Sequence, residues 1–229
     1  MRHYYARFCE GQVAFNYGVN TGNIQRFSMS FVGARRLEDL PYHRRDARQP
    51  VPALPAWRAR LAGWRVERFT HFDTRWDDLW ARTRGAYRLL AERDARHLEW
   101  RYARCPDVEY ALWAVFRRSR LVGWSVLRHR GERRERLAWG DALFDPRYPE
   151  ALPLLLSRVL AAPEHQHAEL VETWLTPRPA WWAERVRALG FTPHPEPQEL
   201  GFVFVPFTED PEESFRAHLY YTMGDSDLF

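Results

Sequence analysis

Three observations in this 229-residue sequence predict an α/β fold organised around a mixed sheet. Strand-like apolar runs follow one another from Glu109 to Phe144 with only short breaks, the pattern of an antiparallel meander. A helical stripe at Pro149–Ala162 then leads to another strand-like run at His167–Leu175. A strand–helix–strand crossover makes its two strands parallel. Hydrophobic residues make up 45% and aromatics 15% of the chain, enough for a large core and too much for a disordered chain.

Along the chain, Gln12–Asn16 reads as a strand and Asn23–Arg36 as a helix with its closing loop. Residues 41–58 hold Pro41, Pro50, Pro52 and Pro55 with Arg44, Arg45, Asp46 and Arg48 between them, which predicts an exposed connection. Trp64–Phe72 reads as a strand. Trp76, Leu79, Trp80, Thr83, Tyr87 and Leu90 then fall on one face of a 3.6-residue period, with Asp73 or Thr74 as the cap. A second helix spans Asp94–Arg104 and stops before Pro106.

The strands Glu109–Arg117, Leu121–His129 and Arg136–Phe144 come next. The stripe Leu152, Leu155, Leu156, Val159 and Leu160 makes the following helix, and His167–Leu175 the fourth strand. Thr176 is the expected N-cap of a helix through Leu189, with Gly190 as its left-handed terminator. Phe202–Phe207 adds a last strand. Trp76, Trp80, Tyr87, Leu152, Leu156, Val159, Trp182 and Val186 are the expected core.

Composition excludes several functions. All 34 basic residues are Arg, against 30 acids, for a net charge of +4. The acids are interspersed: the densest basic run, Arg128–Arg136, contains Glu132 and Glu135 and reads as a solvated hairpin turn. No basic stripe is evident, so a nucleic-acid partner is not expected. No apolar run reaches the length of a membrane span, and the N-terminus has no apolar leader segment, which makes the cytoplasm the expected location. Cys9 and Cys105 form no disulfide framework. His165 and His167 have no third ligand nearby and read as a surface loop, so no metal is expected.

Arg93-Asp94, then His97-Leu98-Glu99-Trp100-Arg101-Tyr102 and Pro106, followed far downstream by Tyr221-Thr222-Met223-Gly224-Asp225-Ser226-Asp227, resembles a bacterial subgroup of the GCN5-related N-acetyltransferases (GNAT). Members of that subgroup carry two GNAT-like halves in tandem. Ala188-Leu189-Gly190-Phe191 is similar to the Leu-Gly-Phe that follows the last GNAT helix. The resemblance implies a GNAT-like domain at 73–229. Residues 1–72 would then be the remnant of a preceding half, holding its late strand and helix and the Pro-rich connection. It further implies an acyl-CoA-dependent N-acyltransferase acting on an amine of a small molecule or an envelope sugar precursor, with acetyl-CoA or another acyl-CoA as co-substrate. Leu143, Phe144 and Arg147 would lie against the cofactor, and Asp141 or Glu172 would be the base. Homo-oligomers fit the same picture.

One segment departs from the family. GNAT enzymes place a glycine-rich loop after the third of these strands, where backbone amides cradle the coenzyme A pyrophosphate. Here that stretch is Phe144-Asp145-Pro146-Arg147-Tyr148-Pro149-Glu150, with no glycine, two prolines and two acids. It predicts weak acetyl-CoA binding or none, and so opens the alternative of a non-catalytic GNAT-like scaffold or binding module. For Asp141 and Glu172, a solvated or salt-bridged strand acid is the commoner meaning of such a residue. Gly123 and Gly140 read as bulges or as sites where the backbone closely approaches a ligand. Trp181 and Trp182 read as core. Trp100, Arg101 and Tyr102 are expected to brace a joint, with Arg101 paired to Asp94 or a tail acid.

Overall fold

The computed structural model describes residues 2–208 and 212–229. Two compact units divide the chain: residues 1–42 with 193–219, and residues 43–192 with 220–229. This division does not follow the expected boundary at 72/73. Residues 43–72 fold with the larger unit, and the last strand folds with the smaller.

The smaller unit holds helix α1 (Arg2–Phe8), strand β1 (Phe15–Asn20), helix α2 (Gly22–Val32), strand β2 (Arg35–Asp39), strand β10 (Gly201–Pro206) and helix α8 (Glu212–His218). Its sheet has the order β1-β10-β2, antiparallel throughout. The left-handed residue that ends α2 is Gly33, at φ 71°, where a side chain would be strained.

The larger unit is built on a sheet of order β4-β5-β6-β7-β8-β3-β9. Its strands are β3 (Tyr42–Asp46), β4 (Trp64–Arg68), β5 (Ala111–Arg117), β6 (Arg120–Arg130), β7 (Arg136–Phe144), β8 (Leu170–Trp174) and the short β9 (Thr192–Pro193). From β4 to β7 all pairs are antiparallel, and β7 pairs β8 in parallel, as the crossover requires. The stretch expected to be an exposed connection instead contributes β3, next to β8, with His43 and Arg45 buried. Pro41 precedes the strand and the other three prolines follow it; of the arginines that suggested solvent, Arg45 is held inside, donating to the carbonyls of Asp46 and Gln49, while Arg48 stays exposed.

Helix α3 (Ala56–Leu61) leads into β4, and α4 (Thr74–Tyr87) follows it. Asp73 caps α4 by accepting from the Arg75 amide at 2.9 Å. Helix α5 (Ala95–Leu98), capped by Asp94, runs directly into a π-helical turn at Glu99–Ala103. Helix α6 (Ala151–Leu160) makes the crossover. Helix α7 (Ala180–Ala188) starts four residues later than Thr176, whose hydroxyl turns back to the Arg178 carbonyl instead of capping. Gly190 does take the left-handed conformation, at φ 90°. No helix among the described residues is long and apolar enough to cross a membrane.

Every residue of the expected core is buried. Trp76, Tyr87 and Val159 have no exposed surface, and Trp80 and Trp182 are nearly as deep. Truncating Trp80 to Ala should lower the stability to chemical denaturation by about 3–5 kcal/mol, the range for deleting a large buried aromatic side chain. An unchanged denaturation midpoint would show that the α4 stripe does not carry the core.

Candidate functional site

The parallel pairing of β7 with β8 is short. It joins Arg136 to Leu170, Leu137 to Val171 and Ala138 to Glu172, and then ceases. From Gly140 to Phe144 the β8-facing edge of β7 therefore has no strand beside it. Such an edge exposes amides and carbonyls that must find partners or water. Here side chains supply them. The Tyr220 hydroxyl donates to the Ala142 carbonyl at 3.0 Å. The Tyr87 hydroxyl donates to the Phe144 carbonyl at 3.0 Å and accepts from the Phe144 amide at 2.8 Å. Closer to the paired end, the Thr173 hydroxyl donates to the Trp139 carbonyl. Burial, before any charge, raises the pKa of Tyr87 and Tyr220, which keeps both phenols protonated as donors.

The wedge between the strands is filled. Tyr220 packs against Tyr87 with ring centres 4.8 Å apart, and Trp182 stacks on Phe144 at 5.6 Å. What remains beside Trp139, Asp141, Trp182, Tyr220 and Thr222 is about 10 Å³, at the lower limit for a single water.

Asp141 lies on β7 just after a bulge: Leu127 opposes Trp139 and Val126 opposes Asp141, leaving Gly140 as the extra residue. A Cβ at Gly140 would overlap the Phe229 ring, so the bulge expected there is present, and the close approach is made by the chain's own Phe229 rather than by a ligand. The Asp141 carboxylate is only 4% exposed and fully engaged. It accepts from Arg93 Nε at 3.0 Å, the Tyr102 hydroxyl at 2.8 Å, the Thr222 hydroxyl at 3.0 Å and the Ala142 amide at 2.9 Å.

Arg93, 1% exposed, bridges onward to Asp225 at 2.7 Å and to the Ala91 carbonyl at 2.9 Å, with its guanidinium over the Tyr220 ring. Asp225 in turn closes a capping box with Thr222. Burial pushes the Asp141 carboxyl above its ordinary range; Arg93 pulls it down and Asp225 adds a second negative charge. One guanidinium thus faces two carboxylates in a dry setting.

This network joins the motif residues that carried the family resemblance. Arg93, Tyr102, Thr222 and Asp225 meet on Asp141, and Arg101 holds the tail by donating to the carbonyls of Ser226 and Phe229. The expected pairing of Arg101 with Asp94 or a tail acid is not what forms, because Asp94 is used as a helix cap. Trp100, expected to brace the joint, is 68% exposed.

Glu172, 1% exposed on β8, lies below Arg130 at 3.6 Å and Arg136 at 3.7 Å. The two candidate bases are thus held in separate ionic settings. Leu143 is buried, and Phe144 fills the wedge. Arg147 is turned onto Asp145 through contacts at 2.9 and 2.6 Å. Burial raises the Asp145 carboxyl, but the Arg147 hydrogen bonds outweigh it and hold the group below its ordinary value.

The loop amides are spent in the same way. Phe144 N–H goes to Tyr87, Asp145 N–H to Val122, Arg147 N–H to the Asp145 side chain and Tyr148 N–H to the Asp145 carbonyl. Pro146 and Pro149 have none to give. The residues present do not fit a coenzyme A pyrophosphate, nor does the filled wedge fit its pantetheine arm.

His165 is the clearest departure on the histidines. It is 2% exposed rather than on a surface loop, and its Nδ1 meets His129 Nε2 at 2.9 Å. Among the described residues no group of three or more potential ligands could hold a metal.

The fold is that of the GCN5-related N-acetyltransferases. A GNAT protein from Anabaena variabilis superposes with a TM-score of 0.61 at 9% identity, covering 90% of this chain and 49% of that one. A probable N-acyltransferase from Enterococcus faecalis gives 0.59 at 8% identity, with 90% and 48% covered. A tandem GNAT protein from the clavulanic acid biosynthesis pathway gives 0.51 at 15% identity, with 87% and 66% covered. The chain thus spans about half the length of the first two. No sequence-family model matches it, and no curated protein does.

Two measurements follow from the site. Arg93→Leu leaves two buried acids uncompensated and should cost about 3–5 kcal/mol at neutral pH. Without Arg93 the folded-state pKa of Asp141 rises further above its unfolded value. The penalty should then shrink as pH falls and Asp141 becomes protonated; a deficit independent of pH would refute the charge argument.

His165 is pushed down from its ordinary 6.5 to about 4, first by burial and then by His129. It therefore contributes stability that is full above about pH 6.5 and is lost as pH falls toward 4. His165→Gln should flatten the stability–pH curve across that window in urea denaturation; an unaltered slope would count against it.

Proposed function

We propose that this chain serves an acyl-CoA-dependent N-acyltransferase as a GNAT-type scaffold, and that its 43–192 unit does not itself hold the acyl-CoA. One observation carries the reading: the β7 edge that a ligand in the wedge would have to pair with is already satisfied by the Tyr87 and Tyr220 hydroxyls. The committed amides of the 144–148 loop support it from the phosphate side. The reaction class rests on the fold shared with proteins described as N-acetyltransferases and N-acyltransferases. We take the acceptor to be an amine of a small molecule or an envelope sugar precursor, met in the cytoplasm. Of the stretch 1–72 expected as the remnant of a preceding GNAT-like half, we keep that reading for residues 1–42, supported by the strand–helix succession of β1 and α2; residues 43–72 go with the larger unit.

A second reading makes this unit the acyl-CoA site, with Leu143, Phe144 and Arg147 against the cofactor and Glu172 as base. The observation in its favour is the Arg147 side chain, 59% exposed beside the loop, where a phosphate could compete with Asp145 for the guanidinium.

Titration calorimetry with acetyl-CoA separates the two. The scaffold reading expects no saturable heat from the chain. A micromolar dissociation constant that Arg147→Ala abolishes would overturn it, and loss of turnover in Glu172→Gln would then identify the base.

A further inference from the structure

The structure assigns a surface away from the β7–β8 wedge to ligand binding: we propose that the groove around Trp100 binds an uncharged sugar ring. The assignment does not depend on the acyl-transfer reading.

Trp100 sits in the π-helical turn that extends α5. Inserting a residue into a helical turn re-aims the side chains around it, and π-turns are frequent at functional sites. On this turn Leu98 and Tyr102 point inward and are almost wholly buried, whereas Trp100 is 68% exposed. The unit buries Trp76, Trp80, Trp113, Trp124, Trp139 and Trp182, and of its tryptophans only Trp57 and Trp100 are exposed. Trp100 is backed by the His97 ring at 5.7 Å, which limits its freedom.

The indole borders an open groove of about 540 Å³, between the start of α4 and the α5 turn. That is the size range of small-molecule sites. Its polar lining is balanced. Arg96 has no hydrogen-bond or ionic partner among the described residues, and Asp77 uses one carboxylate oxygen, Oδ1, to accept from the Ala95 amide. Glu99 is tied to Arg104, His71 and the Phe72 amide, and Asp73 to Arg75. The groove therefore offers one guanidinium, one spare carboxylate oxygen and the Thr74 hydroxyl beside an aromatic face.

That combination selects the ligand. An anion meets Asp77, Asp73 and Glu99; a cation meets Arg96 and Arg104. A neutral molecule with many hydroxyls can use donor and acceptor together. An aromatic face adds a preference for a flat apolar side whose C–H bonds point at the negative π cloud. A pyranose has both properties: hydroxyls around its rim and a face of axial C–H groups.

The experiment is saturation-transfer NMR, followed by calorimetry, with chitotriose, maltotriose and cellotriose as probes. At least one trisaccharide should bind, and Trp100→Ala should weaken it about two- to tenfold, the scale of one lost aromatic contact. The thermal midpoint should stay put, because the side chain is mostly in water. Arg96→Ala should weaken the same probe without disturbing the fold. The proposal is overturned if none of the three binds, if Trp100→Ala binds as tightly as the parent chain, or if binding is confined to the charged probes glucose 6-phosphate or spermidine.

Discussion

Burying Arg93 between Asp141 and Asp225 is the constraint around which the larger unit is arranged. A guanidinium at 1% exposure survives only if nearly every N–H is matched, and here Nε, Nη1 and Nη2 all have acceptors. Meeting that demand fixes three remote pieces of chain at once: the entry to α5, the middle of β7 and the segment 222–225. The bulge at Gly140 belongs to the same solution, since it turns Asp141 toward Arg93 and leaves room for the Phe229 ring. An ion cluster of this kind adds little net stability over a well-packed apolar core. What it secures is a single arrangement of its parts, because any misplacement strands a charge.

The same arrangement fills the place where β7 and β8 part. The divergence of β7 from β8 is present, with parallel pairing that stops at Ala138. Yet the gap is occupied from one side by Tyr220, which follows the segment ordered by Arg93, and from the other by Tyr87 at the end of α4. Two phenols and a threonine hydroxyl stand where a ligand's amides would have to hydrogen-bond. Along this edge the backbone groups of Ala142 and Phe144 are satisfied by the chain's own side chains.

How much of this could be read from sequence depended on whether the signal was local. The α4 stripe, the meander and the crossover were legible because hydrophobic period and turn residues state them within a dozen positions. The failure at β3 has a physical cause. Tyr42–Asp46 carries three charges in five residues, and only tertiary partners, such as the carbonyls that receive Arg45, make it a sheet strand. Similarly, His165 looked solvated because its partner, His129, lies 36 positions away. The loop after β7 was legible, since glycine and proline act through their own backbones. Its occupied edge was not: nothing near Tyr220 in sequence announces the Ala142 carbonyl. The motif residues Arg93, Tyr102, Thr222 and Asp225 were visible as a resemblance, but their meeting on Asp141 was not.

The distance along the chain between Arg93 and Asp225 has a kinetic side. The clamp closes a loop of 132 residues and spans every strand of the β5–β8 block. During synthesis those strands emerge well before 220–229, so for a time Asp141 and the open edge of β7 face water with no tail to cover them. The nascent sheet must tolerate a hydrated groove that the finished protein never shows. Docking of the tail then becomes a late, dehydrating event, in which water leaves two acids, one guanidinium and two phenols together. A chain stalled before that event lacks Tyr220, and the Ala142 carbonyl on the β7 edge is left to water.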